Sequence, residues 1–275
     1  KGRPSDKPLL VHVADKEDVY DLVENIDDRA KLLMDKFWPG PLTIVFKKKA
    51  IIPDRTSGGL DTVAIRMPSD QVARDLIRQA GVPIAAPSAN ISGRPSPTNP
   101  VHIIRDMYGR VDGILVGCSF DYGVESTIID LSEDLAMVLR PGSITLEMLG
   151  EVLGRVDLDP SLKNKDDNIR AKAPGMKYKH YAPCAEMIVF DGEIGSVRKA
   201  MDAEAKELEK QGKSVFKLSF TDEKLAAHEL FAKLREADEL GVDVILAEAL
   251  PEQGLGFSVM NRMLKSAGYN VGRII

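Results

Sequence analysis

The stretch TVAIRMPSDQVARDLIRQAG, residues 62–81, carries the clearest change of periodicity in this chain. TVAIRMPS reads as a strand, a short β-branched and apolar run that Pro68 brings to a close. DQVARDLIRQA then spaces its apolar residues three and four apart, as on one helix face, and Gly81 supplies a C-terminal stop. VPIAAPSAN, residues 82–90, follows as a buried strand ending in small polar residues. Strand, helix and strand in direct succession define an α/β chain.

The alternation extends in both directions. Upstream, LLVHVA reads as a short strand and EDVYDLVENIDDRAKLLMDKFW as one long helix. FWPGPLTIVFKKK turns through Pro39, Gly40 and Pro41 into another strand, and IPDRTSGGLD is a Gly-containing loop. Downstream, NPVHIIRDMYG is a helix, and GILVGC, ESTIIDLS and AMVLRPG are strands. SITLEMLGEVLG is a helix with Ser143 as its expected N-cap. Residues 155–173 are polar and aperiodic, the signature of a linker. Beyond them, the strands EMIVFDG, SVFKLSF and VDVILAEAL alternate with the charged helices SVRKAMDAEAKELEKQG and DEKLAAHELFAKLREADELG, and GFSVMNRMLKSAG is a final helix. That order predicts a small parallel sheet with helices on both faces. The expected division is 1–154, a linker over 155–184, and 185–275.

At 275 residues, two domains are the better prior, and 44% hydrophobic with 29% charged residues is ordinary for a globular chain. The net charge of -5 argues against a protein whose main task is holding a phosphate backbone, while leaving room for a local basic pocket. Cys118 and Cys184 lack CxxC spacing, so no zinc or disulfide framework is expected, in keeping with a cytoplasmic protein. No apolar run approaches the roughly 18 residues that a membrane span needs.

Four stretches place polar side chains where chemistry is feasible. In the opening KGRPSDKPLL, Lys1 and Arg3 suit phosphate or carboxylate oxygens, Arg with its bidentate fork, but solvated cations of a frayed terminus are equally in character. In APSANISGRPSPT, Ser88 and Asn90 alternate along an extended strand, followed by Ser96 and Thr98. These read either as the crevice at strand ends of an α/β sheet or as ordinary turn residues. Ser126 sits in an Ile-rich strand, and Arg140 ends the next one, where it can neutralise a phosphate or pair with a surface acid. APGMKYKHYAP, residues 173–183, interleaves cations and aromatics in a way that a plain tether does not require. No Walker sequence, HExxH or GxSxG is present.

Taken together, KGRP, FWPGPLT, TVAIRMP, APSAN-SG-PSPT, ESTI-D, LRPG and PGMKYKHYAP resemble the long, two-domain form of the YrdC-type L-threonylcarbamoyl-AMP synthases. The resemblance implies a YrdC-like mixed twisted sheet with flanking helices, a linker lying over the active site, and a small Rossmann-like parallel α/β domain. It implies a nucleotidyltransferase that joins L-threonine, bicarbonate and ATP into threonylcarbamoyl-adenylate and pyrophosphate, with Mg²⁺ arriving on the phosphates. A separate tRNA threonylcarbamoyl transferase would consume the product, and no stable tRNA binding is expected. By resemblance, Lys1, Arg3, Ser88 and Asn90 fall on the reacting tetrad. His12, Arg66, Ser88 and Ser126 fall on the threonine side. Arg3, Lys7, Thr62, Asn90, Ser96, Thr98, Arg140 and Tyr181 fall on the ATP side. Lys7 stands where the family has Asn. The family pattern also has a segment before Lys-Gly-Arg, so the chain is expected to be an N-terminal truncation with one sheet face uncovered and poor activity. The alternative is a double-stranded RNA or nucleotide-binding module without catalysis.

Overall fold

A computed structural model describes residues 1–4, 7–117, 122–162 and 181–274. The described residues divide into two compact units: those of 1–89, 107–117 and 125–162, and those of 90–106, 122–124 and 181–274. The second unit thus contains a loop and helix from the middle of the chain.

The first unit is built on β1 (Leu10–His12), β2 (Leu42–Lys47), β3 (Thr62–Arg66), β4 (Ile84–Ala86), β5 (Thr127–Asp130), β6 (Met137–Arg140) and β7 (Asp157–Leu158). They form one mixed sheet in the order β4-β1-β3-β2-β5-β6-β7. β1 runs parallel to β3, β2 to β5 and β6 to β7, and the remaining neighbours are antiparallel. The helices in chain order are α1 (Val19–Leu22), α2 (Asp28–Phe37), α3 (Asp54–Ser57), α4 (Gln71–Ala80), α5 (Pro100–Met107, largely in the second unit) and α6 (Leu146–Leu153).

The 62–81 stretch folds as its pattern predicts. Asp70 accepts from the Ala73 amide at 2.8 Å, starting α4, and Gly81 ends it in the left-handed region at φ 67°. Alternation along the strands separates two faces. Val11, Ile44, Phe46, Val63, Ile65 and Ile129 join Leu33, Met34 and Leu149 of α2 and α6 in the main core. Each fully buried Leu or Ile there contributes roughly 1.5–3 kcal/mol. Leu10, Val45, Ala64, Ile128 and Leu139 form a smaller cluster on the other face.

Several expectations are corrected. The long helix over 17–38 is broken: Val23 turns extended and bridges Lys48, and Asp27 restarts the helix by accepting from the Ala30 amide. Residues 113–117 of GILVGC form no strand, and Leu115 and Val116 are exposed, because β-propensity without a neighbouring strand does not make a sheet. The cap of α6 is Thr145, whose side chain accepts from the Met148 amide, rather than Ser143. β4 is an edge strand, half-buried to exposed rather than buried. Within the expected linker, Asp157 and Leu158 pair with Met137 and Val138.

The second unit carries β8 (Glu186–Asp191), α7 (Ile194–Lys210), β9 (Val215–Leu218), α8 (Glu223–Leu240), β10 (Val244–Glu248), α9 (Gly254–Ser266) and β11 (Val271–Arg273). Its sheet is wholly parallel, in the order β11-β8-β10-β9. α7 packs Val197, Met201 and Ala205 against Phe190, Val244 and Leu246, while α8 and α9 cover Met187, Val189, Ile245 and Ala247. The expected parallel sheet with helices on both faces is present, and β11 extends it by a strand not anticipated.

Candidate active site

The register of the first sheet assembles a cationic cluster on the face of the smaller core. His12 pairs with Arg66 across β1 and β3, and with Ile84 across β1 and β4. Two residues back along each strand lie Leu10 and Ala64, members of the smaller cluster, so alternation sends His12 and Arg66 to the same side. Thr43 shares this face with Val45, and Ser126, one residue before β5, shares it with Ile128. The Ser126 hydroxyl lies 2.8 Å from that of Thr43 and accepts from Arg140 Nη2 at 3.0 Å, while Arg140 Nε donates to the Ser126 carbonyl at 3.0 Å. All three side chains are buried.

The loop between α2 and β2 closes against this cluster. Trp38 and Pro39 are joined by a cis peptide bond. The Gly40 amide donates to the Met67 carbonyl, and the Thr127 amide to the Pro41 carbonyl, linking the loop to β3 and β5. The Gly40 carbonyl accepts from Arg66 Nε at 2.9 Å. Gly142 fits tightly: a Cβ there would collide with the Thr127 nitrogen and the Ser126 carbonyl carbon.

The electrostatics of the cluster are one-sided. Burial, with the nearby Arg140 charge, lowers the Arg66 pKa to about 10. Burial, with the Arg66 charge, lowers that of His12 to about 4, so its ring is neutral at pH 7. The His12 Nδ1 is buried without a hydrogen-bond partner among the described residues. Among those residues no carboxylate pairs with Arg66, whose contact is the Gly40 carbonyl. A half-buried guanidinium with open donors and a second cation close by suits a carboxylate or phosphate.

Lys1 and Ser88, 87 residues apart, meet: Lys1 Nζ donates to the Ser88 carbonyl at 2.6 Å and lies 3.5 Å from its hydroxyl. Arg3 folds back on its own loop, donating to the carbonyls of Lys7 at 2.8 Å and Pro8 at 2.6 Å. Thr62 is not brought to Arg66: it opens β3 opposite Lys47, roughly 13 Å along the strand at ~3.3 Å per residue.

Asn90, Ser96, Thr98 and Tyr181 belong to the second unit. Buried Asn90 donates from Nδ2 to the Arg94 carbonyl at 2.9 Å, turning the 90–94 segment on itself. The Thr98 amide donates to His102 Nδ1 at 3.1 Å, a bond that a protonated Nδ1 could not accept, and Asn99 Oδ1 accepts from the His102 amide. Burial, with the Arg235 charge, lowers the His102 pKa. Tyr181 lies in the second core, its ring centroid 5.1 Å from that of Phe231 and its carbonyl accepting from Ser266 Oγ. The remainder of the linker motif, through His180, lies outside the described residues, as does its expected placement over a site.

Two contributors were missed from the sequence. Thr43 was signalled only as a polar residue inside an apolar strand. His102 was signalled only by its place three residues after Asn99 at a helix start.

Comparison with known proteins gives consistent results. The family model described as Telomere recombination, which groups Sua5, YciO and YrdC, matches residues 1–142. The model of the threonylcarbamoyl-AMP synthase C-terminal domain matches residues 144–268. The chain is 45% identical over 287 residues to a threonylcarbamoyl-AMP synthase of Pyrococcus abyssi, covering all of this chain and 84% of that protein. It is 41% identical to the Bacillus subtilis threonylcarbamoyl-AMP synthase, covering all of this chain and 82% of that one. The crystal structure of P. abyssi Sua5 complexed with L-threonine superposes with a TM-score of 0.95 at 44% identity, over all of this chain and 84% of that structure.

Proposed function

Because the chain belongs to the Sua5/YrdC family of threonylcarbamoyl-AMP synthases, we propose that it is a nucleotidyltransferase joining L-threonine, bicarbonate and ATP into threonylcarbamoyl-AMP and pyrophosphate. The observation that carries the reading is Arg66, half-buried near Arg140 with donors open and no acid paired to it among the described residues. Such a group is matched by the carboxylate of an amino acid, and His12, neutral at pH 7, adds no charge to repel the ammonium. Ser126, held by Thr43 and Arg140, supplies a fixed hydroxyl beside them.

In this reading the free amine of threonine takes up carbon dioxide released by dehydration of bicarbonate, giving a carbamate. A carbamate oxygen attacks the α-phosphorus of ATP, the bond to the bridging oxygen breaks, and pyrophosphate leaves. Charge moves across phosphate oxygens, so fixed cations and donors supply most of the acceleration and no protein nucleophile is required. Lys1, Arg3, Ser88 and Asn90 are assigned to the reacting groups, and Lys7, Ser96, Thr98 and Arg140 to the ATP side. Thr62, at the far end of β3, and Tyr181, whose ring packs on Phe231, are assigned with them to the ATP side.

Mg²⁺ is assigned to the triphosphate that carries it in. The described residues contain no group of three His, Cys, Asp or Glu placed to hold an ion, and an Mg²⁺ bound mainly through phosphates and water needs none. The product would pass to a tRNA threonylcarbamoyl transferase in the cytoplasm. Among the described residues no helix is long and apolar enough to cross a membrane.

The test is pyrophosphate release from ATP, assayed with L-threonine and bicarbonate together and with each omitted. Release that requires both is expected. Release indifferent to threonine would overturn the reading.

A further inference from the structure

The loop bearing Ser96 and Thr98 lies within the stretch matched by the first family model, yet it is held by a side chain from the stretch matched by the second. Arg235, five residues before the end of α8, is buried. Its Nη2 donates to the Pro95 carbonyl at 2.7 Å and to Asp106 Oδ2 at 2.8 Å, and its Nε donates to the Pro95 carbonyl at 3.1 Å. Nη1 approaches Asp106 Oδ1 at 3.4 Å, and the Ser96 carbonyl lies 3.4 Å from Nε. Asp106, in α5, is itself buried and also accepts from the Ile91 amide at 3.2 Å. One guanidinium therefore fixes two consecutive carbonyls of the loop, and its carboxylate partner fixes the segment entering that loop. On the outer side of the same helices, Arg105 pairs with exposed Glu239.

We infer that Arg235 is a positioning residue for ATP: through Pro95, Ser96 and Asp106, α8 of the C-terminal domain sets the backbone that presents Ser96 and Thr98 to the nucleotide. This rests on the assignment of those two residues to the ATP side. A guanidinium is suited to the task, because its planar fork reaches a carboxylate and two carbonyls at once, whereas a lysine ammonium acts as a single point. An ion pair serving only as glue would need the carboxylate and not the carbonyls. The threonine cluster described above draws on none of these contacts, so the two ligands should respond differently.

The experiment uses the full chain with Arg235→Met, which keeps most of the side-chain volume, and Arg235→Lys, which keeps the charge. Glu239→Gln serves as a control that loosens the same two helices without touching the loop. ATP and L-threonine affinities are measured separately by calorimetry, alongside KM and kcat for pyrophosphate release and the thermal midpoint. Arg235→Met is expected to weaken ATP at least tenfold, with L-threonine affinity within twofold of wild type. Arg235→Lys should fall between the two, and Glu239→Gln should leave ATP affinity within twofold. ATP affinity that does not move in either Arg235 variant, or that falls in step with threonine affinity and the thermal midpoint, would reduce Arg235 to structural packing. Wild-type protein that releases no pyrophosphate would instead count against the proposed reaction, while ATP affinity would still report on the loop.

Discussion

Replacing Arg66 with Met tests whether its charge is held for a ligand or for the fold. A depression of its pKa to about 10 sets the charged form at a disadvantage on the order of 3 kcal/mol, at about 1.4 kcal/mol per unit. Solvent screening of the partly exposed side chain reduces that to about 1–2 kcal/mol. Met removes this repulsive contribution and also loses the bond from Nε to the Gly40 carbonyl, which costs about 1 kcal/mol. The two nearly cancel, so the unfolding free energy of the ligand-free protein should change by no more than about 1 kcal/mol. Removing one partner of a buried ion pair typically costs about 3–5 kcal/mol. Affinity for L-threonine should fall sharply, because a lost charge-assisted hydrogen bond to a carboxylate costs about 1.5–3 kcal/mol, or roughly 10- to 150-fold. Urea denaturation and calorimetric titration with L-threonine measure the two quantities. A stability loss above about 3 kcal/mol with threonine affinity intact would refute the reasoning, since Arg66 would then be holding the protein together.

Two further outcomes are expected. His12 titrates at about 4 when folded and near 6.5 when free, so the unfolded chain binds the extra proton first as pH falls. Stability attributable to neutral His12 is fully present above pH 6.5 and declines toward pH 4 by about 3 kcal/mol at most. His12→Asn should lose that part of the slope in pH-dependent denaturation, and parallel curves would count against it. Gly142→Ala forces a methyl against the Thr127 amide and the Ser126 carbonyl, and should cost about 1–3 kcal/mol in urea denaturation while weakening L-threonine binding. Unchanged binding would mean that the Ser126 backbone can shift without consequence.

Where local signals agreed with tertiary demands, the structure was legible from residues alone. Thr62–Arg66, Asp70 and Gly81 needed nothing from elsewhere to define a strand, a start and a stop. Val23 left its helix because Lys48, distant in sequence, offered a bridge that helical periodicity cannot anticipate. Leu115 and Val116 were apolar enough for a strand but pair with none among the described residues. For the site, individual candidates such as His12, Arg66 and Ser126 could be named from their motifs, and the register of β1 with β3 explains how two of them meet. Thr43 and Arg235 escaped notice because their meaning lies in partners 83 and 140 residues away.

The pairing of three-residue β1 with β3 also makes ligand binding a report on folding fidelity. A slip of one residue in that ladder would replace His12 by Val11 or Val13 beside Arg66, sending the imidazole toward the main core and a valine toward the open face. The alternative pairing would lose only a few backbone bonds and could pass unnoticed in a circular-dichroism spectrum. It could not bind an amino acid as the native register does. L-Threonine binding is therefore a sharper criterion of correct refolding for this protein than its secondary-structure content.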